Sequence, residues 1–334
     1  MARPFTLASF AFLALASPLA HAGAVLGVDV QDYIIVYQGG SSGAQLSINN
    51  FGTTGIWNGD VGIAGSGKLA ATGPGTLNGS IDFAAANTGQ ASISNTTVNG
   101  PMDCASPVAV GSGQACFGLG SVQTVMNNLN ALSSALGAVA ALGTSVAINT
   151  SSTQTILTSG GTAGAINGVN YRLFSVASVS SGNGQNLIIK GDGSSSVVFD
   201  VNTPGDAQFH GNILLQDMSG KFFGDAGYAG LFPDQVLFNL YGADKLDAND
   251  NGNDAHPANI IEGDFLDPNG AISFVNTRFV GRIFGGGSVN MQIVSGDTIT
   301  LPPSPPGRAP EPATLALLGI GLAGLGLRRR TRTK

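Results

Sequence analysis

The sequence is poor in the side chains on which most enzymes depend. Only 10% of its 334 residues are charged, and it contains three histidines and two cysteines. No serine or cysteine combines a nucleophile-elbow pattern with a suitable histidine and acidic partner, and no Walker A loop or dinucleotide fingerprint is present. We therefore expect a protein that is not an enzyme and has no organic cofactor.

Basic residues are scarce as well. The chain has 14 Lys and Arg against 20 Asp and Glu, which gives a net charge of −6. A nucleic-acid partner would need a basic stripe to displace counterions, so this class of partner is excluded. Because 43% of the residues are hydrophobic, the composition favours a folded, low-charge β-type region over disorder.

The N-terminus has the layout of a secretory signal. Arg3 precedes an apolar run from Phe5 to Leu19, and the small residues Ala20 and Ala22 flank His21. Signal peptidase accepts this small-x-small pattern, so residues 1–22 are predicted to be removed and the mature chain to begin at Gly23. A buried first helix is the alternative.

The C-terminus is also distinct. A Pro-rich spacer over residues 301–309 leads to Pro310, Glu311 and Pro312 and then to an apolar segment, Thr314 to Leu327. This segment is shorter than the ~20 residues of a typical membrane helix. A basic cluster follows it and would stay in the cytoplasm: Arg328, Arg329, Arg330, Arg332 and Lys334.

This three-part tail over residues 310–334 resembles the PEP-CTERM sorting signal of Gram-negative bacteria. The resemblance implies recognition by an exosortase after transient insertion in the inner membrane, and a final location in the cell envelope or the extracellular matrix. A plain tail anchor of the same orientation is the alternative.

Cys104 and Cys116 are the only cysteines. Export implies an oxidising compartment, so we expect one disulfide that closes a short loop. Two free thiols are the alternative.

A repeat near the N-terminus predicts a β-solenoid. An apolar-Asn-Gly step recurs at Trp57-Asn58-Gly59, Leu77-Asn78-Gly79 and Val98-Asn99-Gly100, with short alternating runs between. Asn-Gly favours tight corners, and a fixed period with strand-like content is typical of stacked coils. Chance recurrence is the alternative.

One long helix is predicted over about residues 121–142. Ser121 is its candidate N-cap and Gly143 its candidate C′ residue. Apolar residues follow one helical face, which favours packing along the side of the β domain: Val122, Val125, Met126, Leu129, Leu132, Leu136, Val139 and Ala140.

Strand signals return after the helix. Apolar runs at residues 213–215, 236–238 and 260–261 suggest a second period, and residues 270–300 predict three strands with a corner at Gly285-Gly286-Gly287. The segments at 185–189, 235–239, 263–270 and 279–288 resemble the choice-of-anchor A family, a bacterial adhesive domain. This resemblance implies one β domain over residues 23–300 with an adhesive role.

Two groups of acidic residues are candidate sites. Asp247, Asn249, Asn251 and Asp254 follow the start of a calcium loop, but Ala258 occupies the position of the bidentate Glu. The sequence favours an exposed turn there, with calcium as the alternative. Asp264 and Asp267 are predicted to be solvated loop carboxylates.

The predicted protein is therefore mainly β: a β-solenoid with one flanking helix, a signal peptide and a C-terminal hydrophobic sorting helix. We expect an exported adhesive or structural protein that contacts signal peptidase and exosortase during export and then an exopolysaccharide or cell-surface ligand. An ice-binding β-solenoid and a polysaccharide-active enzyme are the alternatives. The threonines between Thr144 and Thr162 are too irregularly spaced for an ice-binding array.

Overall fold

The computed structural model of the protein describes residues 25–27, 30, 32–49, 56–84, 90–104, 122–150, 152–182, 184–249, 259–294 and 297–303. The chain divides into two compact units, Met1–Leu301 and Pro302–Lys334. Several predicted features lie outside the described residues: Ala20, Ala22, Cys116, Ser121, Asn251, Asp254, Pro310, Glu311, Pro312 and the basic tail. Cys104 ends a described strand, but its side chain is not described.

Ten described strands precede the helix. They are β1 Tyr33–Tyr37, β2 Gln45–Asn49, β3 Ile56–Asn58, β4 Asp60–Ile63, β5 Lys68–Thr72, β6 Thr76–Asn78, β7 Ile81–Phe83, β8 Ala91–Ser94, β9 Thr97–Val98 and β10 Met102–Cys104. Helix α1 spans Val122–Val139 and continues as a 3-10 turn over Ala140–Leu142.

In the described residues after the helix there are seventeen strands and two further 3-10 turns, the turns at Thr158–Gly160 and Pro233–Gln235. The strands are β11 Thr144–Thr150, β12 Gln154–Leu157, β13 Thr162–Ile166, β14 Val169–Ser181, β15 Asn186–Lys190, β16 Ser196–Val201, β17 Asp206–Phe209, β18 Asn212–Gln216, β19 Val236–Asn239, β20 Lys245–Asn249, β21 Asn259–Glu262, β22 Asp264–Asp267, β23 Ala271–Val275, β24 Thr277–Val280, β25 Ile283–Gly285, β26 Met291–Val294 and β27 Thr298–Thr300.

These strands stack in parallel as three faces of a β-solenoid, as the sequence predicted. The first face has the order β10-β7-β4-β1-β25-β22-β19-β16-β14-β11, and the second has the order β8-β5-β2-β26-β23-β20-β17 and then the ends of β14 and β11. The third face has the order β9-β6-β3-β27-β24-β21-β18-β15-β12. Only β13 runs antiparallel among the described strands, against β14.

The order of the coils in the stack differs from their order in the chain. The first coil pairs with the last one, because β1 lies beside β25, β2 beside β26 and β3 beside β27. The chain therefore starts in the middle of the stack, winds outward to β10, and resumes after α1 at the opposite end. The strands before and after α1 therefore form one stack.

The interior of the solenoid is apolar and contains a ladder of aromatic rings. Phe174, Phe199, Phe238 and Phe265 lie in register on successive coils of the first face. Their ring centroids are 5.2, 4.9 and 4.8 Å apart in that order, with nearly parallel planes. Stacked rings at this distance add attraction to the apolar burial, so the ladder holds adjacent coils in register.

Helix α1 covers the outer side of the first face. Its predicted apolar stripe is buried except Val139, which is partly buried, and Ser133 is buried in addition. The stripe packs on outward side chains of the first face, among them Val36, Val198, Leu237 and Phe284. Residues Val122–Leu142 are long and apolar enough to cross a membrane, but this packing explains the composition.

Three details of the predicted elements need correction. Gly143 has φ −70° and ψ 153°, so the chain leaves the 3-10 turn in extended conformation without a left-handed glycine. Residues 270–300 form five strands, β23 to β27, because each coil needs a strand on every face. The second period also fails, since residues 236–238 lie on the first face whereas 213–215 and 260–261 lie on the third.

The Asn-Gly steps mark one corner of the solenoid, between the third and first faces. A Cβ atom on Gly79 would lie 2.1 Å from the carbonyl oxygen of Gly59, and a Cβ atom on Gly100 would lie 2.0 Å from that of Gly79. Consecutive coils thus approach too closely for any side chain, which is why the repeat requires glycine.

Candidate binding surface

The third face carries a regular polar surface at its N-terminal coils. In β3 and β6 the central residues Trp57 and Leu77 point into the core and their neighbours point outward. The outward residues form two rows across four coils, which we call the Thr/Asn surface: Thr298, Ile56, Thr76 and Thr97 in one row, and Thr300, Asn58, Asn78 and Asn99 in the other.

The asparagines of this surface form a hydrogen-bonded ladder. Asn78 Nδ2 donates to Asn58 Oδ1 over 3.0 Å, and Asn99 Nδ2 donates to Asn78 Oδ1 over 2.7 Å. All three side chains are exposed. The ladder fixes each amide in one orientation, so its remaining donors and acceptors recur at the strand spacing of about 4.8 Å.

The Thr/Asn surface is fixed from behind. Trp57 is buried beneath it and donates from Nε1 to the backbone oxygen of Asp297 over 3.0 Å. The Asp297 carboxylate in turn accepts bonds from the Thr277 amide and hydroxyl. Burial raises the pKa of Asp297 to about 7, against the lowering effect of these bonds. The surface therefore rests on packed and hydrogen-bonded residues and is preorganised.

The repeat also contains a sequence signal for the threonine row, which the sequence analysis did not identify. Threonine precedes the apolar-Asn-Gly step by one position at Thr76 and Thr97, and the repeat is therefore Thr-apolar-Asn-Gly in two of its three copies. The threonines that were weighed as an array, from Thr144 to Thr162, lie instead on the terminal coil formed by β11, β12 and β13 or on its connecting turns.

Asp264 and Asp267 are not solvated loop residues, contrary to the prediction. Both lie in β22 and are buried. Arg282 Nη1 contacts Asp264 Oδ2 at 3.3 Å, and Asp267 accepts a bond from the Gly270 amide. Burial raises the pKa of each carboxyl to about 7. Asp264 pairs with Leu237, an outward residue of the first face, and Asp267 is the last residue of β22.

Only two of the four candidate calcium ligands lie in the described part of the chain. Asp247 and Asn249 lie in strand β20 on the second face, where Asp247 contacts Lys245 Nζ at 3.2 Å and His210 Nε2 at 3.5 Å. Within the described part of the chain, no three His, Cys, Asp or Glu side chains cluster as a metal site. Calcium binding by this segment stays a prediction.

A comparison with known families matches residues 308–330 to the PEP-CTERM protein-sorting motif. The protein is accordingly an exported, exosortase-sorted protein that associates with the cell envelope through a C-terminal signal. The match does not extend to the β domain, for which the choice-of-anchor A resemblance stays a prediction. No curated protein matches the sequence.

Solved structures of similar fold include an ice-binding protein from an Antarctic biological consortium, with 13% identity, a TM-score of 0.45, and 91% of this chain and 97% of that chain covered. They also include an ice-binding protein from an Arctic yeast, with 14% identity, a TM-score of 0.43, and 87% and 98% covered. A third is the ice-binding protein of the Antarctic ascomycete Antarctomyces psychrotrophicus, with 16% identity, a TM-score of 0.41, and 83% and 97% covered.

Proposed function

We propose that the protein is an adhesive component of the cell surface or extracellular matrix, and that its Thr/Asn surface binds an extended, hydroxyl-rich polysaccharide. The two rows of hydroxyl and amide groups, interrupted only at Ile56, carry the proposal. A polysaccharide presents hydroxyl donors and acceptors along its length, and several coils can engage it at once. The resemblance of the β domain to choice-of-anchor A adhesive domains and the exosortase-sorted tail support the same role.

Preorganisation makes such a surface effective. The side chains of Asn58, Asn78 and Asn99 are already oriented by the hydrogen bonds between them. Little conformational entropy is therefore lost when a ligand binds. The surface has no charged side chain, which suits a neutral glycan. The nearest charged residue of the same face is Arg278, which pairs with Thr298 at the edge of this surface.

Binding to a glycan array and to isolated exopolysaccharide tests this function. Thr76→Lys places a long charged side chain in the middle of the Thr/Asn surface, and we expect at least a roughly tenfold loss of affinity, equivalent to ~1.4 kcal/mol. Ala70→Lys is the matched control, because Ala70 points outward on the second face. An equal loss in both variants, or no binding by the wild type, contradicts the proposal.

Ice binding is the second candidate, and the same observation favours it. Threonine and asparagine rows at constant strand spacing, broken only at Ile56, give a more regular array than the threonines of the terminal coil. Thermal hysteresis separates the two functions: a hysteresis gap that Thr76→Lys removes and Ala70→Lys retains, without glycan binding, identifies ice as the ligand.

A polysaccharide-active enzyme is the remaining alternative, and release of reducing sugar would reveal it.

A further inference from the structure

The end of the stack formed by β11, β12 and β13 is a strand edge without charge. From Cys104 to Tyr171 the sequence contains no Asp, Glu, Lys, Arg or His. Residues 23–311 as a whole carry 20 Asp and Glu against 8 Lys and Arg, so the net charge of this part of the chain opposes association of two copies. At this end, charge repulsion between the edge strands is absent.

The backbone of β13 is paired on one side. Its residues Thr162 to Ile166 pair with β14, and no other described strand pairs with them. Soluble proteins usually protect such an edge with lysine, proline or a bulge. The five residues are Thr-Ala-Gly-Ala-Ile, which contain none of these, and Ala163 and Ala165 are exposed.

The neighbouring strand β11 is treated differently. The side chain of Gln154 reaches over its edge, where Oε1 accepts the Asn149 amide over 3.1 Å and Nε2 donates to the Ala147 carbonyl over 2.8 Å. These are the backbone groups that an added strand would use. Within the described part of the chain, the terminal coil therefore protects β11 and leaves β13 open.

We propose that two copies of the chain associate end to end through β13, by antiparallel pairing of the two strands. A two-fold axis through Gly164 sets Ala163 against Ala165 of the second copy, so that small residues meet on both sides of the axis. Such an isologous contact closes after two copies. Exposed leucines at the same end, Leu142 at 69% and Leu157 at 49%, add apolar area beside the strands.

The expected consequence is an end-to-end dimer that displays two Thr/Asn surfaces. Two linked surfaces bind a long polymer with higher avidity than one, because the second contact becomes intramolecular. The association itself does not depend on what the Thr/Asn surface binds.

Sedimentation velocity of the mature full chain, kept in a mild detergent because of its C-terminal apolar segment, tests the association. We expect the wild type to form dimers as its concentration rises. Ala165→Lys and Ala165→Glu each place like charges on diagonal neighbours about 7–8 Å apart across the two-fold axis, and each should yield monomers. Mixing the two variants should restore a dimer, because the diagonal charges are then opposite.

Ala70→Lys, on the second face and away from the terminal coil, is the control and should remain dimeric. Unchanged circular dichroism of the Ala165 variants separates loss of association from loss of folding. A monomeric wild type, dimers that survive both Ala165 substitutions, or a mixture that stays monomeric would each overturn the proposal. Because no glycan is present, these outcomes are independent of the function proposed above.

Discussion

The first and third faces of the solenoid are built alike and used differently. Both consist of parallel strands whose inward side chains fill one core. On the first face the outward residues are apolar, such as Val198, Leu237 and Phe284, and α1 covers them. On the third face the corresponding outward residues at the N-terminal coils are mostly Thr and Asn, and they are exposed or partly exposed.

This difference shows that the outward residues decide what a face of the solenoid does. A face with apolar outward residues stabilises the stack by holding a helix, whereas a polar outward row leaves the surface free for a ligand. Polar groups on the covered face must then be satisfied internally. Ser133 of α1 accordingly donates to Asn239, and Asn239 donates to Asp200, all three being buried.

Removing the cation of the buried ion pair should give the largest effect on the covered face. Arg282→Met leaves the Asp264 carboxylate buried without the contact to Arg282, which should lower the free energy of unfolding by about 3–5 kcal/mol at pH 8. At pH 5 the loss should be smaller, because the pKa of Asp264 is raised and the carboxyl is then protonated. Denaturant unfolding at both pH values measures the change; an equal loss at both would contradict the charge argument.

Truncation of an outward leucine should separate the two faces directly. Leu237→Ala removes a buried contact with the helix-covered cluster and should cost about 2–5 kcal/mol. Leu214 also points outward, but it lies on the uncovered third face and is partly exposed. Leu214→Ala should cost less than about 1 kcal/mol. Comparable losses in the two variants would show that α1 does not stabilise the first face.

The corner between the two faces should tolerate no side chain. Gly79→Ala forces a methyl group against the backbone of the neighbouring coil, and we expect a loss of about 1–3 kcal/mol from overpacking. Gly43→Ala is the matched control, since a Cβ atom there meets nothing within 4 Å. Thermal unfolding followed by circular dichroism measures both, and a neutral Gly79→Ala would mean that the coils can separate at this corner.

The sequence predicted the solenoid, the apolar stripe of α1 and the corner glycines, because these depend on short-range periodicity. It did not predict that β27 pairs with β3, since residues far apart in sequence leave no local pattern. The burial of Asp264 could not be foreseen for the same reason: its partner Arg282 lies on the next coil. The Thr/Asn surface was predicted only in part. The sequence indicated that the asparagines lie at tight corners, but it did not indicate that their side chains point outward.

The smallest expected effect is on the pH dependence of stability, and it comes from the buried carboxylate of Asp297 beneath the Thr/Asn surface. Burial raises the pKa of Asp200 to about 6 and that of Glu262, Asp264, Asp267 and Asp297 to about 7, whereas an unfolded chain titrates near 4. Their contribution to stability is thus fully present below about pH 4 and is lost as the pH rises through about 7. The melting temperature should therefore be higher at pH 5 than at pH 8.

Asp297→Asn removes one of these titrations while keeping an oxygen that can accept the bonds from Thr277. The variant should lose less stability than the wild type between pH 5 and pH 8, by one group's share of the slope. Asp206→Asn, at an exposed position, is the control and should leave the slope unchanged. Since Asp297 also supports Trp57 through its backbone oxygen, a flattened slope with unchanged ligand binding would show that the carboxylate's charge is not needed to hold the Thr/Asn surface. A slope equal to that of the wild type would mean that Asp297 is already ionised throughout this range.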